Sequence, residues 1–248
     1  MKLGKLYDDF SYELSQRRKY LTEDSVRYIF FSCMLDQDKN TNNYILELPY
    51  GDIITSFNSN YSIQIPVNPP LVQTNNRYRQ ELDLYYEDNK CCYCFEIKFH
   101  RKPQKSTSTK TDNAGSLFND IHRLQLITSS GEKDVRKFLV YVTDYDMHDY
   151  FLPSESIKNT QKSYRIDLKK FYCLTPNDGP QPIYINATPG TFNASANKSF
   201  SVQKIPAGGI LSNVHFQDIT SKCPPFNNNG GLHIRIYEII DDDAITRV

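Results

Sequence analysis

The sequence predicts an α/β fold, a mixed β-sheet core flanked by helices, with additional β structure in its C-terminal part. Three observations predict it. Residues 5–35 carry helical periodicity. Residues 81–99 alternate with period two on either side of a polar turn. Residues 114–127 repeat as a helix and lead into a continuous, β-branched run at 136–143. With a strand at 44–50, the order is helix, strand, strand, strand, helix, strand, the pattern of a sheet covered by helices.

The first helical stretch places Leu6, Phe10 and Leu14 at four-residue spacing. Thr22 is a capping residue for a second helix, and Glu23 and Asp24 suit its positive end. Val26, Ile29, Phe30, Cys33 and Met34 form its apolar stripe, and Glu23 and Arg27 have the spacing of a surface ion pair. Tyr44 to Tyr50 reads as a strand, stopped by Pro49 and Gly51. Tyr61 to Ile65 is a short strand, after which Pro66, Pro69 and Pro70 deny a long element.

Next come two strands, 81–86 and 91–99, joined by Glu87-Asp88-Asn89-Lys90. Period two puts Leu82 and Leu84 on one face and Asp83 on the other. In the second strand it separates Phe95, Ile97 and Phe99 from Glu96, Lys98 and His100. A hairpin brings Asp83 beside Glu96 and Lys98. Burying two carboxylates and an ammonium is costly without a compensating partner, and a divalent cation is such a partner.

Residues 101–113 are basic and rich in Ser and Thr, a surface loop. The helix at 114–127 has Leu117, Ile121 and Leu124 as its buried stripe, with Asp120, His122 and Arg123 off it, and Ser129-Ser-Gly131 ends it. The strand at 136–143 has the composition of a central strand. Residues 144–151 read as a turn or short helix. Strands are expected at 164–168, 170–174 and 231–240, and one at 200–204 within a segment from 175 to 209 dense in Pro, Asn, Gly and Ser. These later strands either edge the sheet or form a small β subdomain.

Composition narrows the function. The chain of 248 residues, with 39% hydrophobic and 23% charged content, supports a sizeable core. Its net charge of +0 means that any anion-binding surface arises from local clustering. No apolar run has the length of a membrane span, and the first residues lack a signal-peptide core, so a cytoplasmic protein is expected. The 6 cysteines have neither disulfide-scaffold density nor zinc-ligand spacing and read as reduced thiols.

Asp83, the Glu96-Ile97-Lys98 triplet, the helix that follows and the strand after it together resemble the PD-(D/E)xK nuclease superfamily, across roughly residues 20–145. Glu-x-Lys is a common triplet; what singles this one out is the Asp thirteen positions upstream on an adjacent strand, the acidic helix start before it and the α/β order after it. Leu82 stands where the family often has Pro. Glu23 is placed like the carboxylate that the preceding helix often adds to the site. The resemblance implies a restriction endonuclease-like core over residues 1–150, with 151–248 a β-rich elaboration packed on it.

It further implies a metal-dependent endonuclease hydrolysing DNA phosphodiester bonds. A type II restriction endonuclease or related bacterial defence nuclease is the first expectation. A structure-specific repair or recombination nuclease, or a catalytically inactive nucleic-acid-binding domain, is the alternative. Asp83, Glu96, the Ile97 carbonyl and Glu23 are the expected ligands of Mg2+, for which Mn2+ can substitute. Lys98 would orient the attacking water or stabilise charge on the phosphate. His100, Arg101, Lys102, Lys105, Lys110 and Arg123 are candidates for phosphate contacts on double-stranded DNA, against a plain solvated loop for the lysines. Cutting a palindrome implies a homodimer.

Overall fold

The computed structural model describes residues 1–17, 21–49, 63–64, 81–101, 113, 116–117, 120–121, 123–124, 127–129, 132–143, 164–166, 181–187, 211–218 and 232–240. Two helices come first. In α1 (Leu3–Gln16) the predicted stripe of Leu6, Phe10 and Leu14 is buried, joined by Tyr7. In α2 (Glu23–Leu35) the whole predicted stripe is buried. Thr22 caps α2 reciprocally: its hydroxyl accepts from the Ser25 amide at 3.1 Å, and its own amide donates to Ser25 Oγ at 2.7 Å.

The strands are β1 (Tyr44–Pro49), β2 (Ile63–Gln64), β3 (Glu81–Glu87), β4 (Cys91–His100), β5 (Thr128–Ser129), β6 (Asp134–Thr143), β7 (Tyr164–Ile166), β8 (Gln181–Ala187), β9 (Leu211–Asp218) and β10 (His233–Ile240). One sheet runs in the order β1-β3-β4-β6-β10-β9-β8-β7. It is mixed, as expected: β4 and β6 are parallel, from Cys91 opposite Asp134 to His100 opposite Thr143, and its other neighbours are antiparallel. Parallel neighbours need a long crossover. The β4–β6 connection contains it, and its described residues Asn113, Ser116, Leu117, Asp120, Ile121, Arg123 and Leu124 are helical.

The helices α1 and α2 cover one face. Phe10 meets Phe30 edge-on at 5.0 Å, Phe30 meets Phe95 at 5.2 Å, and Phe95 stacks on Phe138 at 5.1 Å. This aromatic column ties α1 through α2 to β4 and β6, each pair adding about 0.5–1.5 kcal/mol beyond its buried area. Around it pack Leu84, Ile97, Phe99, Val140, Val142, Ile234 and Ile236. The opposite face carries Asp83, Glu96, Lys98 and His100, and the 113–124 segment supplies buried Leu117, Ile121 and Leu124.

Of the two arrangements expected for the C-terminal strands the first is found, and two other expectations change. The C-terminal strands continue the main sheet, since β10 pairs with β6 and β9, β8 and β7 follow outward. Two of them, β8 and β9, lie in stretches read as loop. Residues 128–129 do more than end a helix: they pair with β2, Ile63 opposite Ser129. The strands expected at 170–174 and 200–204 and the turn at 144–151 lie outside the described residues. No helix among the described residues is long and apolar enough to cross a membrane.

Candidate functional site

The site is built where β3 and β4 part company. Their ladder runs from Glu87 opposite Cys92 to Leu84 opposite Phe95. One step further, the Ile97 amide donates to Asp83 Oδ2 at 2.6 Å instead of to a backbone carbonyl. The other oxygen, Oδ1, lies 2.8 Å from Arg27 Nη2. Arg27 also reaches Glu47 Oε1 at 3.1 Å and Asp24 Oδ1 at 3.4 Å. The surface pair expected between Glu23 and Arg27 is therefore replaced: Arg27 turns to the sheet, where buried Asp83 needs a counter-charge more than exposed Glu23 does.

Glu47 departs from regular strand geometry. Its φ of 55° lies in the left-handed region, and the β1–β3 register passes from Leu46–Leu84 to Leu48–Leu82 without it. For a residue with a Cβ this costs about 1–2 kcal/mol. Its carboxylate is left facing Arg27.

On β4, Lys98 Nζ contacts Glu23 Oε1 at 2.8 Å and Asp120 Oδ2 at 3.2 Å. Its neighbour Glu96, 1% exposed, receives a two-pronged donation from Arg123: Nε to Oε1 at 3.1 Å and Nη2 to Oε2 at 3.0 Å. The same Nη2 reaches Asp120 Oδ1 at 2.5 Å. Asp120 is 2% exposed, and its buried Oδ2 has the Lys98 ammonium as its ion-pair partner. Thus Glu23, Asp83, Glu96 and Lys98 come together as predicted, and Asp120 and Arg27 join them.

Asp120 was legible in principle. It lies three residues after Leu117 and four before Leu124, on the buried stripe itself, and an acid on such a stripe marks a polar interior site. The role of Arg27 depends on a contact 56 positions away in sequence, and local spacing carries no sign of it.

Electrostatics follow from crowding. Burial pushes the Glu96 carboxyl up, to about 8; Arg123 opposes this, while Asp120 and Asp83 add to it. Burial also raises Asp83, against the pull of Arg27 and the Ile97 amide. For Lys98, burial alone would favour the neutral amine, but Asp120, Glu23 and Asp83 outweigh it and the group is held protonated well above its ordinary range. His100 is buried, with Nδ1 3.2 Å from the Tyr141 hydroxyl, and burial together with Lys98 lowers it to about 3. It is a neutral ring packed in the sheet rather than a surface cation. Arg101 is exposed, its guanidinium 5.7 Å from the Phe99 ring centre. Lys102, Lys105 and Lys110 lie outside the described residues.

The donor set is all oxygen, the preference of a hard divalent cation. Among the described residues, however, no three acidic, His or Cys side chains stand at ligating distance of one another, because the arginines and Lys98 separate the carboxylates. Cys33, Cys91, Cys92 and Cys94 are free thiols. No family model matches the chain, and neither a curated protein nor a solved structure is significantly similar to it.

Proposed function

We propose that the chain is a metal-dependent endonuclease of the PD-(D/E)xK kind, with a restriction endonuclease-like core, that hydrolyses phosphodiester bonds in double-stranded DNA. A type II restriction enzyme or related bacterial defence nuclease, cytoplasmic and working as a homodimer, is the form this takes. The observation that carries the reading is the meeting of Asp83 from β3, Glu96 and Lys98 from β4 and Glu23 from the start of α2 on one face of a mixed sheet.

Asp83, Glu96 and the Ile97 carbonyl would hold Mg2+ or Mn2+, with Glu23 and Asp120 as further oxygen ligands. The all-oxygen donor set fits such an ion. When bound, the ion supplies an activated water, neutralises the phosphate and stabilises the leaving oxygen. Lys98 keeps its proton beside Asp120 and Glu23, so its part is a fixed positive charge at the phosphate and not a general base. Asp83 fixes the Ile97 amide and thereby the β4 backbone beside the site. Arg101, Lys102, Lys105 and Lys110 grip the DNA backbone.

A second reading is favoured by the cation partners of Asp83 and Glu96: a catalytically silent nucleic-acid-binding domain in which this network is structural. Magnesium-dependent cleavage of plasmid DNA by the wild type, Asp83→Ala and Lys98→Ala decides between them. Discrete bands with the wild type and a loss of about 100- to 1,000-fold in each variant are expected. Cleavage that survives both substitutions, or that never appears on DNA or RNA with any divalent metal, would sink the catalytic reading. A preference for branched over plasmid DNA would replace the restriction reading with a repair one.

A further inference from the structure

The guanidinium of Arg123 contacts both oxygens of Glu96 and one of Asp120. All three side chains are largely buried, at 15%, 1% and 3% exposure. A divalent cation ligated by Glu96 competes for the same two oxygens. Two cations on one desolvated carboxylate repel strongly, because little water lies between them. Metal and Arg123 are therefore alternatives at this position. The Arg123 side chain starts from the 113–124 helical segment, one turn from Asp120, and its planar fork matches a phosphate as well as a carboxylate.

We infer that Arg123 is a resident counter-ion that exchanges with the divalent cation at Glu96 and Asp120, and that the displaced guanidinium is then free to take the substrate phosphate. This rests on the metal site proposed above. It makes Arg123 a residue that sets metal affinity, weakening it in the absence of DNA, so that the cation and the phosphate enter together.

Calorimetric titration of the full chain with Mn2+, comparing wild type, Arg123→Gln and Arg136→Gln, tests it together with phenylglyoxal labelling of the wild type read by peptide mass spectrometry. Arg123→Gln should bind Mn2+ about tenfold tighter, an ordinary size for coupling between two ligands. Arg136→Gln should bind like wild type. Mn2+ should speed the labelling of Arg123 and leave Arg136 unchanged. If the wild type binds Mn2+ but Arg123→Gln binds no tighter, or Arg123 labelling does not respond, the exchange is overturned and the metal site stands. If the wild type binds no Mn2+, the metal site falls and the exchange with it. Should Arg123→Gln lack a cooperative melting transition, the wild-type labelling decides alone.

Discussion

Among the described residues the sheet carries two forked Arg–Glu pairs, one on each face, and they behave differently. On the face covered by α1 and α2, Arg136 of β6 donates to Glu238 of β10 at 2.6 and 2.7 Å. Its guanidinium lies 5.2 Å from the Phe138 ring centre and 5.9 Å from that of Tyr93. The pair has one acid, one base and an aromatic floor, and its side chains keep 33% and 13% of their exposure. On the other face, Arg123 holds Glu96 at nearly the same geometry, yet Asp120, Asp83 and Glu23 crowd around it and Glu96 is 1% exposed. The first pair stitches two strands. The second balances a surplus of buried negative charge, which stability does not reward. The same two-pronged Arg–Glu pairing thus has opposite meanings, set by the charge around it.

Three experiments sharpen this contrast. The largest effect belongs to the apolar face: Phe95→Ala removes the middle of the aromatic column and should cost about 3–5 kcal/mol in urea unfolding. A loss below about 1 kcal/mol, the size of an ordinary surface change, would show that the column does not hold the helices to the sheet. Next, Arg123→Gln leaves the Glu96 charge buried and should cost about 3 kcal/mol without metal, whereas Arg136→Gln, at a partly exposed pair, should cost about 1 kcal/mol. Equal losses would erase the distinction between the two pairs.

The smallest effect is alkaline. Burial raises the Cys33 thiol on α2 from 9.0 to about 11, and burial and Asp38 raise the Tyr44 phenol from 10.0 to about 12. Between these limits the unfolded chain ionises first, so the contribution of these two groups is fully present below pH 9 and declines as pH rises to 12. Cys33→Ala should lose the part of that decline between pH 9 and 11, read as melting temperature against pH. A decline that Cys33→Ala does not alter would assign it elsewhere.

Much of the frame was legible because it is local. Period two separated Phe95 and Ile97 from Glu96 and Lys98, and a Thr before two acids marked the start of α2. What was missed is long-range or dense in turn-formers. β8 was hidden by its Pro and Asn residues. Pro182 is tolerated near its start, where β7, pairing only with residues 185–187, does not reach it. Arg27 was assigned an acid one turn back on its own helix because helix spacing is visible and a strand folded back over α2 is not. Asp120 was set aside as off the stripe when it lies on it. The backbone of Glu47 obeys a register constraint that no composition rule expresses.

The Asp83 carboxylate occupies a place in the β3–β4 seam where a main-chain oxygen would otherwise sit. The amide of Ile97 is thereby wired to a carboxylate proposed as a metal ligand. Its nuclear resonance and its exchange with deuterium become an indigenous probe: whatever changes the charge or the ligands of Asp83 is written into a single backbone signal, readable without a substrate, a label or a turnover.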